Sequence, residues 1–127
     1  MLKGSCLCGS VTYQVTGDLT PPSACHCGQC RKQSGHYWSA TNAEDADFKL
    51  TSQEGLRWFS ASDTATRGFC SNCGSFLFWK RTGSDRVAIA MGSFDDSTNK
   101  TLARHIFVAD KGDYYQINDN IPQLETS

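Results

Sequence analysis

The sequence predicts an all-β fold, and three observations carry that prediction. Short runs alternate apolar and polar residues with a period of two. Turn-forming residues interrupt those runs at short, regular intervals. No window of a dozen residues carries a helical stripe.

The elements follow in chain order. Val11, Tyr13 and Val15 alternate with Thr12 and Gln14 until Gly17-Asp18 ends the strand. Pro21-Pro22 then stiffens the approach to a cysteine-rich segment, because each ring fixes its own φ. Aromatic and β-branched runs predict further strands over 37–41, 48–51 and 56–59, then over 75–80 and 86–91. Strands over 105–108 and 114–117 complete the set. Between them lie the breakers Gly55, Ser62-Asp63, Gly83-Ser84-Asp85, Asp95-Asp96 and Lys111-Gly112-Asp113. Residues 96–104 have room for one or two helical turns. With no long linker, low-complexity tract or internal repeat, residues 1–127 read as a single domain.

Composition narrows the function classes. Twelve basic and thirteen acidic residues leave a net charge of −1, and no run of Lys or Arg provides a footprint for nucleic acid. Apolar residues make up only 39%, beside eleven glycines and three prolines, so the core should be thin and helped by metal. Residues 1–10 hold one lysine and no apolar segment, which is not a signal peptide, and no stretch approaches a membrane span. Abundant cysteine without an export signal points to a reducing, cytoplasmic setting rather than a disulfide scaffold.

The seven cysteines fall into three tight groups: Cys6-Leu7-Cys8, Cys25-His26-Cys27-Gly28-Gln29-Cys30 and Cys70-Ser71-Asn72-Cys73. An odd count leaves one thiol over in any full disulfide pairing, whereas gaps of one or two residues suit thiolates that share an ion. Four plus three are the ligand counts of a closed and an open zinc site. In one division Cys25, Cys27 and Cys30 wrap one face of an ion while Cys6, Cys8, Cys70 and Cys73 enclose another. A competing division joins Cys27 and Cys30 with Cys70 and Cys73 and leaves Cys6, Cys8 and Cys25. Spacing favours the first only modestly.

Three thiolates over-neutralise zinc, so an open site of this kind suits a soft thiol substrate better than hydrolysis through zinc hydroxide. A thiol held there as thiolate could attack a small electrophile such as an aldehyde. His26, His36 and His105 are the available imidazoles for a fourth position, with His26 flanked by two ligands and His105 opening an apolar strand as a structural residue. Arg31 and Lys32 could neutralise the site, hold a substrate carboxylate or form a solvated loop pair, and His36, Tyr37 and Trp38 could wall a pocket, although aromatic strand residues more often belong to the core. Asp95-Asp96 reads as a turn.

These motifs resemble the glutathione-dependent formaldehyde-activating family, which includes the centromere protein V domain. The resemblance rests on Cys6-Leu7-Cys8-Gly9, on Cys25-His26-Cys27-Gly28-Gln29-Cys30-Arg31-Lys32 with Ser34-Gly35, and on Phe69-Cys70-Ser71-Asn72-Cys73-Gly74. The blocks Met91-Gly92-Ser93-Phe94-Asp95, His105-Ile106-Phe107 and Ile117-Asn118-Asp119-Asn120-Ile121-Pro122 extend it along nearly the whole chain. It implies a β-tent of packed antiparallel sheets with two zinc ions. Cys6, Cys8, Cys70 and Cys73 would hold a structural ion. Cys25, Cys27 and Cys30 would hold a catalytic one with an open position. The implied activity is that of a carbon–sulfur lyase joining glutathione and formaldehyde to S-hydroxymethylglutathione. The alternative is a non-enzymatic zinc or thiol-binding module, with both metals structural or the second a carrier. A chromatin adaptor is weakened by the neutral charge.

Overall fold

The computed structural model describes residues 1–127. β1 (Leu2–Ser5) and β2 (Val11–Val15) form a hairpin around the first cysteine pair. β3 (Ser23–Cys25) runs through the second cysteine group into α1 (Gly28–Ser34), and β4 (Trp38–Glu44) returns antiparallel to β3. β5 (Phe48–Gln53) leaves to pair with β2. β6 (Leu56–Phe59), β7 (Ala65–Cys70), β8 (Phe76–Arg81) and β9 (Arg86–Ala90) then run as a meander, before β10 (Arg104–Ile106).

The strands make two sheets, one of order β1-β2-β5 and one of order β10-β3-β4-β9-β8-β7-β6. Every ladder is antiparallel except that of β10 with β3, so the predicted all-β class holds. The alternation of β2 turns Val11, Tyr13 and Val15 into one core with Leu77, Phe78, Val87 and Ile89 from the large sheet. Each such side chain contributes roughly 1.5–3 kcal/mol on burial. Tyr13 is the hub, its ring edge-on to Phe78 at 5.5 Å and to Phe94 at 5.6 Å, with its hydroxyl 2.6 Å from Ser93 Oγ. Gly4 passes so close beneath it that a Cβ would strike the Tyr13 hydroxyl and the Ser93 carbonyl.

β9 is buried on both faces, which explains its continuous apolar reading. Val87 and Ile89 face the main core, while Ala88 and Ala90 join Cys30 and Trp38 in a second, smaller cluster. The large sheet therefore separates one core from a second apolar patch that backs the middle cysteine group.

Several elements differ from expectation. Residues 96–103 hold no helical turn, and 114–117 hold no strand: Tyr114 closes a turn and 115–117 are irregular. The Tyr114 and Tyr115 rings instead pack against His36, at 5.8 and 4.4 Å between centroids, so aromatic content there serves side-chain clustering. β1, β3 and β7 lie outside the strands that the sequence predicts. β1 and β3 are only four and three residues long. β7 carries a buried Arg67 and an interior Gly68, both atypical of strands, and Gly68 is needed because Trp58 and Phe78 lie 3.0–3.1 Å from where its Cβ would stand. No helix is long and apolar enough to cross a membrane.

Candidate metal centres

Two groups of thiols converge, with the sulfurs of each group within 4.8 Å of one another: Cys6, Cys8, Cys70 and Cys73 in one, Cys25, Cys27 and Cys30 in the other. The competing division, with Cys27 and Cys30 beside Cys70 and Cys73, is not the one the fold makes.

The four-cysteine group lies where the β1–β2 turn meets the β7–β8 turn, so it bridges the two sheets. Its halves repeat one local design, Cys8-Gly9-Ser10 and Cys73-Gly74-Ser75. Both glycines take left-handed backbone, φ +83° and +81°, which a side chain would strain. Both serines turn their hydroxyls to sulfur: Ser10 Oγ is 3.2 Å from Cys8 and Cys70 Sγ, and Ser75 Oγ is 3.2 Å from Cys73 Sγ. The Val11 N–H donates to Cys6 Sγ at 3.3 Å. Ser75, through its hydroxyl and then its N–H, holds the Cys73 thiol down to about 5, and the Ser10 hydroxyl lowers Cys70 likewise.

Sulfur separations test whether an ion fits. Cys8 Sγ lies 3.7 Å from both Cys6 and Cys70 Sγ. Four thiolates around zinc at about 2.3 Å form a tetrahedron with an edge of about 3.8 Å. The donor set and its spacing therefore fit zinc.

The three-cysteine group is built by the β3–α1 junction. Cys25 ends β3, Cys27 caps α1 by accepting from the Cys30 N–H, and Cys30 is buried in the first turn. Gly35, at φ +86°, stops the helix and returns its N–H to the Arg31 carbonyl at 2.8 Å. Contacts from Cys25 and then Cys30 drive the Cys27 thiol down to about 2, with Arg67 adding to the effect. Contacts from Cys27 and then Cys30, with burial added, push Cys25 up.

Arg67 is the chief residue that the sequence concealed. It reaches from β7 with its guanidinium 3.6 Å from Cys30 Sγ, and it donates to Gln33 Oε1 at 3.3 Å and Gln29 Oε1 at 3.0 Å. One buried cation thus faces the thiolates, held by two glutamines from α1. His26 offers no nitrogen to an ion: Nδ1 meets the Tyr115 hydroxyl and Nε2 meets His105 Nδ1 at 2.8 Å. His105 Nε2 in turn meets Asp119 Oδ2 at 2.7 Å. In the sequence Tyr115 belongs only to a predicted strand, and Asp119 only to the block 117–122 that extends the family resemblance, with nothing to mark either as a partner of this group. His36 is exposed among Tyr37, Tyr114 and Tyr115, away from ligand duty.

Two buried donors have no partner, Arg31 Nε and Trp38 Nε1. Both belong to the neighbourhood of the three-cysteine group, since Arg31 follows Cys30 and Trp38 packs in the cluster with Cys25, Cys27 and Cys30. A buried unpaired donor costs about 1–3 kcal/mol, so these two N–H groups favour a ligand that accepts. A cleft of about 660 Å³ opens beside the four-cysteine group, from Cys6 and Leu7 across Trp38 and Phe76 to Gln33 and Ser34 at the end of α1. Asp95 is the only charged side chain in its wall.

A Schizosaccharomyces pombe protein named as an uncharacterized lyase is 27% identical over 114 residues, covering 89% of this chain and 82% of its own. A Halomonas elongata protein, named provisionally as a glutathione-dependent formaldehyde-activating enzyme, is 34% identical over 86 residues, covering 61% of this chain and 55% of its own. The crystal structure of a Rhodobacter sphaeroides protein, a structural genomics target, superposes with a TM-score of 0.65 at 20% identity, covering 95% of this chain and 98% of that one; it shares the fold. The profile of the family described as glutathione-dependent formaldehyde-activating enzyme matches residues 1–110, so the chain belongs to that family.

Proposed function

We propose that this protein is a two-zinc enzyme of the carbon–sulfur lyase type that handles a small thiol at Cys25, Cys27 and Cys30. The observation that carries the reading is the three-sulfur face itself. No further His, Cys, Asp or Glu donor joins it, and His26 has both nitrogens engaged elsewhere. Zinc bound there would keep a substrate thiol ionised near neutral pH, where a free thiol of pKa about 8.5 is only a few per cent thiolate. Cys6, Cys8, Cys70 and Cys73 complete a closed set and serve structure.

The family description supports glutathione as the thiol and formaldehyde as the electrophile. In that reaction sulfur bonds to the carbonyl carbon, the C=O double bond becomes a hydroxyl, and the thiol proton ends on that oxygen. Arg31, with its unpaired Nε, would hold a substrate carboxylate, while the Trp38 indole N–H would meet an acceptor on the bound molecule. Arg67 offsets the negative charge of the three thiolates from behind.

Metal analysis should give two zinc per chain, and Cys27→Ser should remove one while leaving the fold intact. If Cys27→Ser unfolds the protein as thoroughly as Cys70→Ser, the three-cysteine centre is structural and the enzyme reading falls. The rate of S-hydroxymethylglutathione formation, measured against the spontaneous reaction, decides the substrate. No acceleration leaves a zinc and thiol-binding module.

A further inference from the structure

The segment between Cys25 and Cys27 is gripped by four side chains that the proposed reaction does not use. His26 is fully buried and His105 nearly so, and every ring nitrogen of the pair has a partner. The carboxylate end sets the direction. Asp119 can only accept, so His105 Nε2 carries hydrogen and donates to it. With both rings neutral, His105 Nδ1 then accepts from His26 Nε2–H, and His26 Nδ1 accepts from the Tyr115 hydroxyl. The chain Tyr115–His26–His105–Asp119 is thus polarised in one sense from end to end.

Backbone bonds run beside it. The His26 N–H donates to the Ile106 carbonyl at 3.0 Å, and Ile106 lies opposite Cys25 in the parallel ladder of β3 and β10. On the outer edge of β10 the C-terminal segment takes the place of another strand: His105 N–H donates to Pro122 O, and Leu124 N–H to His105 O, both at 2.9 Å. Tyr115 is fixed separately, by the Lys111 ammonium on its carbonyl and over its ring. Tyr115 and Asp119 lie beyond residue 110, where the family profile stops.

Cys25 and Cys27 must present two sulfurs to one ion with a single residue between them, and metal–ligand distances tolerate only about 0.2 Å. Any rotation of the backbone at His26 would swing one sulfur against the other. We infer that Tyr115 and Asp119 are positioning residues of the three-cysteine centre: acting through His26 and His105, they hold the Cys25–Cys27 backbone in the arrangement that receives an ion. The inference rests on reading that centre as a metal site.

The test uses the full-length protein loaded with two metals, zinc for competition against a chromophoric chelator and cobalt(II) for spectra. Loss of the corresponding signal in Cys27→Ser assigns the three-cysteine centre. Tyr115→Phe and Asp119→Ala should each release its ion roughly 10–100-fold more readily and weaken its thiolate-to-cobalt absorption. The four-cysteine centre should keep its affinity in both. Asp119→Asn, which retains an acceptor oxygen for His105, should restore most of the loss. Unchanged affinity in both variants overturns the inference, as does parallel weakening of both centres with a lowered unfolding midpoint. Uptake of a single ion by the unsubstituted chain overturns the metal reading itself, and this inference with it, before any variant is made.

Discussion

Arg67 brings a buried positive charge to the three-cysteine face from a strand otherwise packed among apolar groups. Its partners are one sulfur and two glutamine oxygens, with no carboxylate among them, so it is free to offset thiolate charge. Arg67→Met should therefore weaken zinc at this centre about tenfold in chelator competition, within the range for outer partners of metal ligands, and leave the four-cysteine centre unchanged. Tyr13 gives a second prediction. Burial first, and then Asp95, push its phenol well up, while Ser93 pulls the other way. A raised phenol contributes stability that is complete below the unfolded value of about 10 and is lost as pH climbs above it toward the folded value. The urea midpoint should fall above pH 10, and Tyr13→Phe should flatten that fall. At this scale the cysteines were legible because spacing alone groups them, whereas Arg67 was not. A lone arginine beside a glycine gives no hint that it turns inward, and its partners Gln29 and Gln33 sit more than thirty residues away.

At the scale of elements, strands buried on one or both faces show in the sequence, whereas elements that are short or carry chemistry do not. β2 alternates because one face meets the core, and β9 reads as uniformly apolar because both faces do. α1 is seven residues long and shows no stripe, since only Cys30 is buried on it. Its start is set by Cys27 and its end by Gly35, so the cap residues define it better than any periodicity. β6 closes the large sheet with Trp58 and Phe59 exposed, an edge available to another chain. Phe59→Lys should leave the unfolding free energy within about 0.5 kcal/mol and reduce light scattering at high concentration.

Over the whole molecule, the four-cysteine group spans the two sheets where the β1–β2 and β7–β8 turns meet, and on the proposed function an ion there would tie them as the Tyr13 cluster does within the core. Graded chelation should accordingly proceed in two phases. The first removes one ion with circular dichroism unchanged; the second removes the other together with the β signal. A single phase in which both ions leave as the fold collapses would contradict this division of roles. The all-β class and the cysteine groups were accessible from sequence because both are local patterns. The ordering of strands, and the use of Tyr115 and Asp119 behind the second centre, depend on contacts 89 and 14 residues apart along the chain, which no local pattern encodes.

The spacing of the two thiol groups along the chain has a kinetic consequence. Cys8 and Cys70 are 62 residues apart, so closing their centre requires a large loop that takes in every strand from β2 to β7. Cys25, Cys27 and Cys30 need no such closure, because their donors are neighbours in a nascent chain. During synthesis Cys25, Cys27 and Cys30 are therefore complete as a set while Cys6 and Cys8, made earlier, still wait for Cys70 and Cys73. On the proposed function, an ion at the three-cysteine group would be the early arrival, and one joining the sheets would be the last bolt.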